Sequence, residues 1–122
     1  LAGNFLIASM LEALAEAYVL MEKQGVKREA FYEVVKGVFR SPLYENYGRI
    51  LLERRFSPPG FRLRLGLKDV RLIHQAADQS HTPMPLAHLL LDRFLEGVAR
   101  GMGEEDWTAL LRVAEKAAGL EG

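Results

Sequence analysis

The sequence predicts an all-α fold, a bundle of about six helices with a long buried first helix, because three observations agree. Apolar residues recur at spacings of three and four along most of the chain. Leu and Ala are common whereas Ile and Val are few, and no stretch alternates as a strand does. Breaks rich in Pro and Gly separate segments of helical length. With 122 residues, 49% of them hydrophobic, the chain is long enough to bury a core, and we expect a single domain over residues 1–122.

The first predicted helix covers residues 1–23 and is apolar on nearly every side, as is typical of a helix buried within a protein. A membrane-spanning helix needs about 20 apolar residues with few charges, and Glu12 and Glu16 disfavour insertion. A secretory signal is also disfavoured, because no basic residue precedes Lys23. Since no capping residue precedes Leu1, we expect the chain to be cut from a longer one. The apolar positions are Phe5, Leu6, Met10, Leu11, Leu14, Tyr18 and Met21.

The second and third helices are predicted between clear end signals. Gly25 suits the left-handed position that ends many helices, and a second helix follows over residues 28–38. Ser41-Pro42 predicts the start of a third helix, with Ser as the cap and Pro at the first helical position. This helix is expected to run to about Arg55. The side chains expected to point inward are Phe31, Val34, Val35 and Val38, then Leu43, Tyr47, Ile50 and Leu51.

The second half of the chain predicts three more helices. Ser57–Gly60 forms a loop with two prolines, and a fourth helix covers about residues 62–79. A break at His81–Pro85 precedes a fifth helix over about residues 86–100. Glu104, Glu105 and Asp106 then stand where a sixth helix begins, at the end that favours negative charge. The expected inward positions are Leu63, Leu67, Val70, Ile73, Leu89, Leu90, Phe94, Val98, Trp107, Leu110, Leu111 and Ala114.

Charge is balanced over the whole chain but is unevenly placed. Sixteen basic and sixteen acidic residues give a net charge of +0, which excludes a generally basic protein that coats nucleic acid. The segment Arg49–Arg71 nevertheless carries seven basic and two acidic residues. It is either an anion site, for a phosphate, a carboxylate or nucleic acid, or a solvated face with local ion pairs. The absence of Cys excludes disulfides, thiolate metal sites and a Cys nucleophile.

Other polar residues have structural interpretations. Glu12 and Glu16 share a helix face, but the Glu-x-x-His pattern of bundle metal sites does not occur, and no metal site is predicted. The three histidines, His74, His81 and His88, show no metal or triad spacing. Two tyrosines near the Ser41-Pro42 turn, Tyr44 and Tyr47, either line a cleft or cap the core. Asn4 needs hydrogen-bond partners, either within the core or in a cleft shared with a neighbouring domain.

Several segments, taken in order, resemble a known family. Leu1-Ala2-Gly3-Asn4 leads into a helix that contains Ala13–Ala17, and Phe61-x-x-x-Leu65-x-x-Lys68-Asp69 follows later. Thr82–Leu86 and Gly101–Asp106 complete the set. Together they resemble the C-terminal domain of the β-hydroxyacid dehydrogenases, which include 3-hydroxyisobutyrate dehydrogenase and tartronate semialdehyde reductase. The fold implied is that of the C-terminal domain of 6-phosphogluconate dehydrogenase, and the resemblance covers essentially the whole chain.

This resemblance implies an NAD(P)-dependent oxidoreductase that moves hydride between nicotinamide and a small 3-hydroxy acid or semialdehyde. The N-terminal Rossmann domain that binds most of the NAD or NADP is absent from these residues, and the family's catalytic Lys would stand just before Leu1, so the chain alone is expected to be inactive. Asn4 corresponds to a substrate-binding residue and Lys68 to a cofactor-binding residue. Asp69, expected to hold Lys68, and Phe61 support them. A cytoplasmic homodimer or tetramer, with no membrane contact, is also implied.

Two alternatives remain open from the sequence. An imine reductase has the same architecture, but the residue before Leu1 would then not be Lys. A stand-alone helical module would instead bind an acidic partner or nucleic acid through Arg49–Arg71. The zero net charge and the lack of a clear helix-turn-helix pattern make nucleic-acid binding unlikely.

Overall fold

The computed structural model of the chain describes residues 1–120, and within them it contains six α-helices. The helices are α1 (Ala2–Lys23), α2 (Arg28–Phe39), α3 (Pro42–Glu53), α4 (Leu63–Gln79), α5 (Pro85–Ala99) and α6 (Leu110–Ala117). A 3-10 turn over Trp107–Ala109 precedes α6. The extended pairing in the described range is one isolated bridge between Arg62 and Asp106. The predicted all-α class with about six helices is therefore confirmed.

The core is organised around α1, which packs against α4, α5 and α6 and also contacts the α2–α3 pair. Leu11 and Ala15, in the middle of α1, are completely buried. An 18-residue stretch of α1 has a mean hydropathy of 1.4, so the helix meets the length and composition of a membrane span. In this fold 44% of that stretch is buried against the other helices, as expected for the central helix of a bundle.

The helix ends follow the predicted signals with two differences. Gly25 has φ +85° directly after α1, and Pro42 occupies the first turn of α3, as predicted. Ser41 precedes α3 in extended conformation, but its side chain makes no capping hydrogen bond. The α3 helix ends at Glu53 because Arg54 adopts a left-handed conformation, with φ 55°. The Arg54 guanidinium is held there by two hydrogen bonds, of 2.6 and 3.1 Å, to the carboxylate of Glu115 on α6.

The turn before α6 is fixed by the carboxylate of Asp106, which is almost fully buried. One oxygen accepts hydrogen bonds from the backbone N–H groups of Gly60 and Phe61, each at 2.9 Å. The other accepts from the backbone N–H and the hydroxyl of Thr108, at 3.0 and 2.6 Å. Asp106 therefore caps the 3-10 turn that precedes α6 and joins it to the loop before α4, which places negative charge near the start of the last helix, as predicted. Glu104 and Glu105 do not cap it; they pair with Arg62 and Arg64, and with Arg112.

Six apolar side chains predicted to point inward are exposed, so those predictions were wrong. Leu6, Val34, Val38, Leu43, Leu89 and Val98 are between 37% and 68% exposed. The reason is that the apolar faces of these helices are wider than the surface their neighbours cover. On α2, which packs mainly on α3 and α1, Tyr32 and Val35 are the buried residues. The predicted inward residues of α4, and those of the last helix, are buried.

Candidate functional site

The residues singled out near the start of α1 and in the middle of α4 meet in the structure. The side-chain amide of Asn4 donates a 2.7 Å hydrogen bond to a carboxylate oxygen of Asp69, across 65 residues of sequence. Both side chains are half-buried. The bond leaves the carbonyl oxygen of Asn4 and the second carboxylate oxygen of Asp69 without partners in residues 1–120. Asn4 is thereby oriented by α4, with its acceptor available to another group.

Lys68 is exposed and is not held by Asp69. Successive residues of a helix point about 100° apart, so Asp69 faces α1 while Lys68 faces solvent. No carboxylate among the described residues lies within 4 Å of the Lys68 ammonium group. Leu72, one helical turn further along α4, is also exposed. The structure thus places a cation without an acidic partner in residues 1–120 one helical turn from an apolar residue, on the solvent-exposed face of α4.

Three aromatic rings form a wall beside the Asn4–Asp69 bond. Phe61 and Trp107 have ring centroids 4.4 Å apart, and Tyr47 meets Trp107 edge-on at 6.3 Å. Trp107 is only 3% exposed, as predicted for a core residue, and its indole N–H has no acceptor in the described part of the chain. The same Trp107 lines a narrow crevice between α1 and α4 together with Asn4 and Asp69.

A second and larger pocket lies on the other side of this aromatic wall, between α3 and the loop before α4. Its volume is about 450 Å³, and Phe61 and Tyr47 are among its lining residues. Of the two tyrosines, Tyr47 therefore lines a cleft, whereas Tyr44 stacks on Phe39 at 4.1 Å between ring centroids and packs against the core. The sequence suggested both roles for the pair but did not connect Tyr47 with Phe61, because no local spacing relates them.

Most of the basic segment Arg49–Arg71 is neutralised by local ion pairs. Arg49 pairs with Glu45, Arg55 with Glu53, and both Arg62 and Arg64 with Glu104. With Arg54 bound to Glu115, five of the seven basic side chains have an acidic partner. Lys68 and Arg71 have none in residues 1–120. The interpretation as a solvated face with local ion pairs thus fits most of the segment, and an anion site fits only its α4 end.

The predicted carboxylate pair on α1 lies away from Asn4 and takes part in helix packing. Glu12 is 2% exposed, and one of its oxygens lies 3.1 Å from Arg93 Nε on α5. Its other oxygen is buried with no hydrogen-bond partner in the described residues. Burial, together with neighbouring Glu16, raises the pKa of Glu12 to about 8, although Arg93 opposes the shift.

The histidines also lie away from Asn4. His74 Nε2 is 2.9 Å from the carbonyl oxygen of Ala87, and the His74 ring meets the ring of His88 edge-on, with 4.4 Å between centroids. These contacts join α4 to α5. Across residues 1–120 no three His, Asp or Glu side chains are grouped closely enough to hold a metal ion.

The comparisons with known proteins agree on one family. A family model described as the NAD-binding region of NADP-dependent 3-hydroxyisobutyrate dehydrogenase matches residues 1–114. The oxidoreductase YfjR of Bacillus subtilis is 45% identical over 109 residues, which are 89% of this chain and 38% of the relative. The 2-(hydroxymethyl)glutarate dehydrogenase of Eubacterium barkeri is 32% identical over 120 residues, covering 97% of this chain and 40% of that enzyme.

Comparison with solved structures points to the same family. A crystal structure of 3-hydroxyisobutyrate dehydrogenase from Salmonella typhimurium matches with a TM-score of 0.84 at 26% identity, over 92% of this chain and 39% of that one. The chain thus spans about two fifths of the length of the relatives it matches. On the family model, the relatives and the fold together, the chain belongs to the 3-hydroxyisobutyrate dehydrogenase family of β-hydroxyacid dehydrogenases.

Proposed function

We propose that this chain is the C-terminal domain of an NAD(P)-dependent oxidoreductase that interconverts a small 3-hydroxy acid and its semialdehyde. The observation that carries the proposal is the 2.7 Å hydrogen bond between Asn4 and Asp69, which fixes the Asn4 amide at the junction of α1 and α4. The relatives' names support the substrate class, because 3-hydroxyisobutyrate and 2-(hydroxymethyl)glutarate are both hydroxy acids.

Asn4 is proposed to position the reacting group. One of its two amide N–H groups is bound to Asp69, and its carbonyl oxygen is the atom that would accept a hydrogen bond from a substrate hydroxyl or an ammonium. A residue directly before Leu1 stands four positions before Asn4, a spacing that brings two side chains onto one helix face. A lysine there, as the family resemblance implies, would lie beside Asn4 and stabilise the developing alkoxide of the substrate.

The described residues could contact only part of a dinucleotide, through Lys68 and Leu72 on α4, and could not hold the whole cofactor. Residues 1–120 contain no strand that runs into a Gly-rich phosphate loop, so most of the cofactor would be held by chain outside this one. The exposed Lys68 ammonium and the apolar Leu72 beside it suit an anionic or polar group and a flat ring, respectively. When bound, the nicotinamide supplies the site that gives or accepts the hydride.

The test uses the full-length protein and steady-state reduction of a small semialdehyde with NADH and with NADPH. Asn4→Ala is expected to lower kcat by about 10- to 100-fold, because a displaced reacting group reaches the transition state less often. Lys68→Ala is expected to raise the KM for the dinucleotide by about tenfold, because one charge-assisted contact is lost.

Two variants serve as controls. Ser9→Ala removes a half-buried polar group from the same helix as Asn4, and Lys116→Ala removes an exposed positive charge from α6. Both are expected to keep wild-type kinetics. Full activity of Asn4→Ala, or no activity of the wild-type protein with either dinucleotide and a panel of hydroxy acids and semialdehydes, would contradict the proposal. Turnover of cyclic imines in place of semialdehydes would favour the imine reductase alternative.

We also propose that the protein is a homo-oligomer in which a second copy covers α1. Leu6, Ala13 and Leu20 are spaced seven residues apart along α1, and all three are exposed. The spacing places them in one stripe on the outer side of the helix, opposite the buried Leu11 and Ala15, and the exposed Glu16 lies beside this stripe. A cytoplasmic location stays a prediction from the family resemblance.

A further inference from the structure

The indole N–H of Trp107 is a buried donor that the proposed reaction does not use. Trp107 is 3% exposed, and its Nε1 atom has no hydrogen-bond acceptor in residues 1–120. Buried N–H groups of folded proteins nearly always have an acceptor, either a protein atom or an ordered water molecule. An acceptor for this group is therefore expected next to the indole ring.

The crevice between α1 and α4 contains two acceptors. Trp107 lines this crevice, and its other lining residues are apolar except for Asn4 and Asp69. The hydrogen bond between Asn4 and Asp69 leaves one carboxylate oxygen and the amide carbonyl oxygen without partners among the described residues. Neither oxygen binds the indole N–H directly, because Nε1 has no partner. One donor and two acceptors thus line the same small space without touching.

The size of the crevice limits what could bridge these groups. About 10 Å³ of it is open to the centre of a water-sized sphere, compared with about 450 Å³ for the pocket on the other side of the aromatic wall. Such a space has room for one water molecule and not for a substrate. Buried waters occupy polar sites and commonly make about three hydrogen bonds, whereas cavities that stay empty are apolar. The crevice has both the size and the polar groups of a water site.

We propose that a single water molecule occupies this crevice and connects Trp107 to the Asn4–Asp69 pair. The water accepts the indole N–H, and it donates to the second carboxylate oxygen of Asp69 and to the carbonyl oxygen of Asn4. A carbonyl oxygen accepts two hydrogen bonds, so Asn4 keeps one position for the reacting group. Trp107 is thereby a positioning residue, which acts on Asn4 through the water. Its effect on catalysis rests on the proposed function, whereas the water site itself does not.

Trp107→Phe removes the N–H group and keeps an aromatic ring in the core. In the full-length protein it is expected to lower kcat for semialdehyde reduction by about three- to tenfold, because the Asn4 amide is held less firmly. The KM for the dinucleotide is expected to stay unchanged. Tyr47→Phe is the matched control, since it removes a hydroxyl group from the same aromatic wall, on the side of the larger pocket. It is expected to keep wild-type kinetics.

A double-mutant cycle separates positioning from a general effect on packing. If Trp107 acts through Asn4, Trp107→Phe should change kcat by less than about twofold in the Asn4→Ala protein, because the positioned group is already gone. A loss in that background as large as in the wild-type protein would show that the two residues act independently. That result, or wild-type kcat in Trp107→Phe, would overturn the positioning role.

A crystal structure of the full-length protein, at a resolution that shows ordered water, does not depend on turnover. One water is expected about 2.7–3.2 Å from both Trp107 Nε1 and a carboxylate oxygen of Asp69. An indole N–H that faces the ring of Phe61 or Tyr47, or that binds a protein atom directly, would overturn the water site. The water in a protein that turns over no hydroxy acid or semialdehyde would contradict the proposed function and keep the site. An active enzyme without this water would contradict the site and keep the proposed function.

Discussion

At the residue scale, the Asn4–Asp69 hydrogen bond links the first turn of α1 to the middle of α4. It joins an amide to a carboxylate, and hydrogen bonds to ionised groups are about twice as strong as those between neutral groups. The bond fixes which edge of the Asn4 amide is left for a ligand. Neighbouring Lys68 is free because its side chain points away from this contact. Asp69 therefore orients Asn4, whereas the adjacent Lys68 exposes its positive charge to solvent.

The family resemblance predicted Asn4, Lys68 and Asp69 as residues of one site, but local spacing could not show which of them pair. The contact between Asn4 and Asp69 spans 65 residues and depends on the crossing of two helices. The family resemblance implied that Asp69 holds Lys68, whereas the helix turns these adjacent side chains about 100° apart. The pocket between α3 and the loop before α4 could not be predicted for the same reason, because Asp106 binds the backbone of that loop from 45 residues away in sequence.

The buried carboxylate of Glu12 makes stability depend on pH. Its pKa is raised above the ordinary value of 4.5, chiefly by burial, so the folded chain binds a proton that the unfolded chain releases between about pH 4.5 and 8. The free energy of unfolding is therefore expected to fall as pH rises through that range, by roughly 1–3 kcal/mol from this group. Urea denaturation of the chain between pH 5 and pH 9 measures this slope.

Glu12→Gln replaces the carboxyl group by an uncharged amide of the same shape. It is expected to flatten the fall in stability between pH 5 and pH 8, because the group that releases the proton is gone. Glu22→Gln is the control, since Glu22 is an exposed residue of the same helix. An unchanged slope in Glu12→Gln would show that Glu12 is ionised in the folded chain at neutral pH.

At the element scale, the closest packing occurs where α4 crosses α5. A Cβ atom on Gly66 would overlap the ring of Phe94, and one on Gly97 would lie 3.0 Å from both terminal carbons of Leu63. Two glycines on opposite helices thus let the backbones approach, and each accommodates a large side chain from the other helix.

Gly66→Ala is expected to lower the free energy of unfolding by about 1–3 kcal/mol, because the fully buried ring of Phe94 has little room to move. Gly37→Ala is the matched control, since a Cβ there would meet nothing within 4 Å. It is expected to be neutral or stabilising, because Ala favours helix over Gly by about 1 kcal/mol. Equal effects of the two substitutions in urea denaturation would contradict the packing argument.

The helices themselves were predictable, because periodicity and end signals are local. Gly25, Pro42 and the loop around Pro58 marked boundaries that the structure places within a few residues. Periodicity identifies the apolar face of a helix but does not show how much of that face a neighbour covers. Val34 and Val38 have the spacing of core residues, and yet they are 55% and 68% exposed because α2 lies at the edge of the bundle.

At the scale of the whole molecule, the exposed apolar residues need an explanation that the chain alone does not supply. The stripe of Leu6, Ala13 and Leu20 runs along the helix that is otherwise the centre of the core. Contiguous exposed apolar surface marks sites of interaction with other protein. A second copy placed on this stripe would bury α1 on the side that the other five helices leave open.

The double variant Leu6→Glu/Leu20→Glu is expected to convert the full-length protein from an oligomer to a monomer, because carboxylates cannot be buried in the contact without a large desolvation cost. Light scattering coupled to size-exclusion chromatography measures the mass directly. The double variant Val34→Glu/Val38→Glu places the same charges on the exposed apolar residues of α2 and is expected to keep the oligomer. If the α2 variant dissociates instead, the interface lies on α2 and the stripe on α1 serves another contact. If wild-type protein is monomeric at micromolar concentration, the proposed oligomer is wrong.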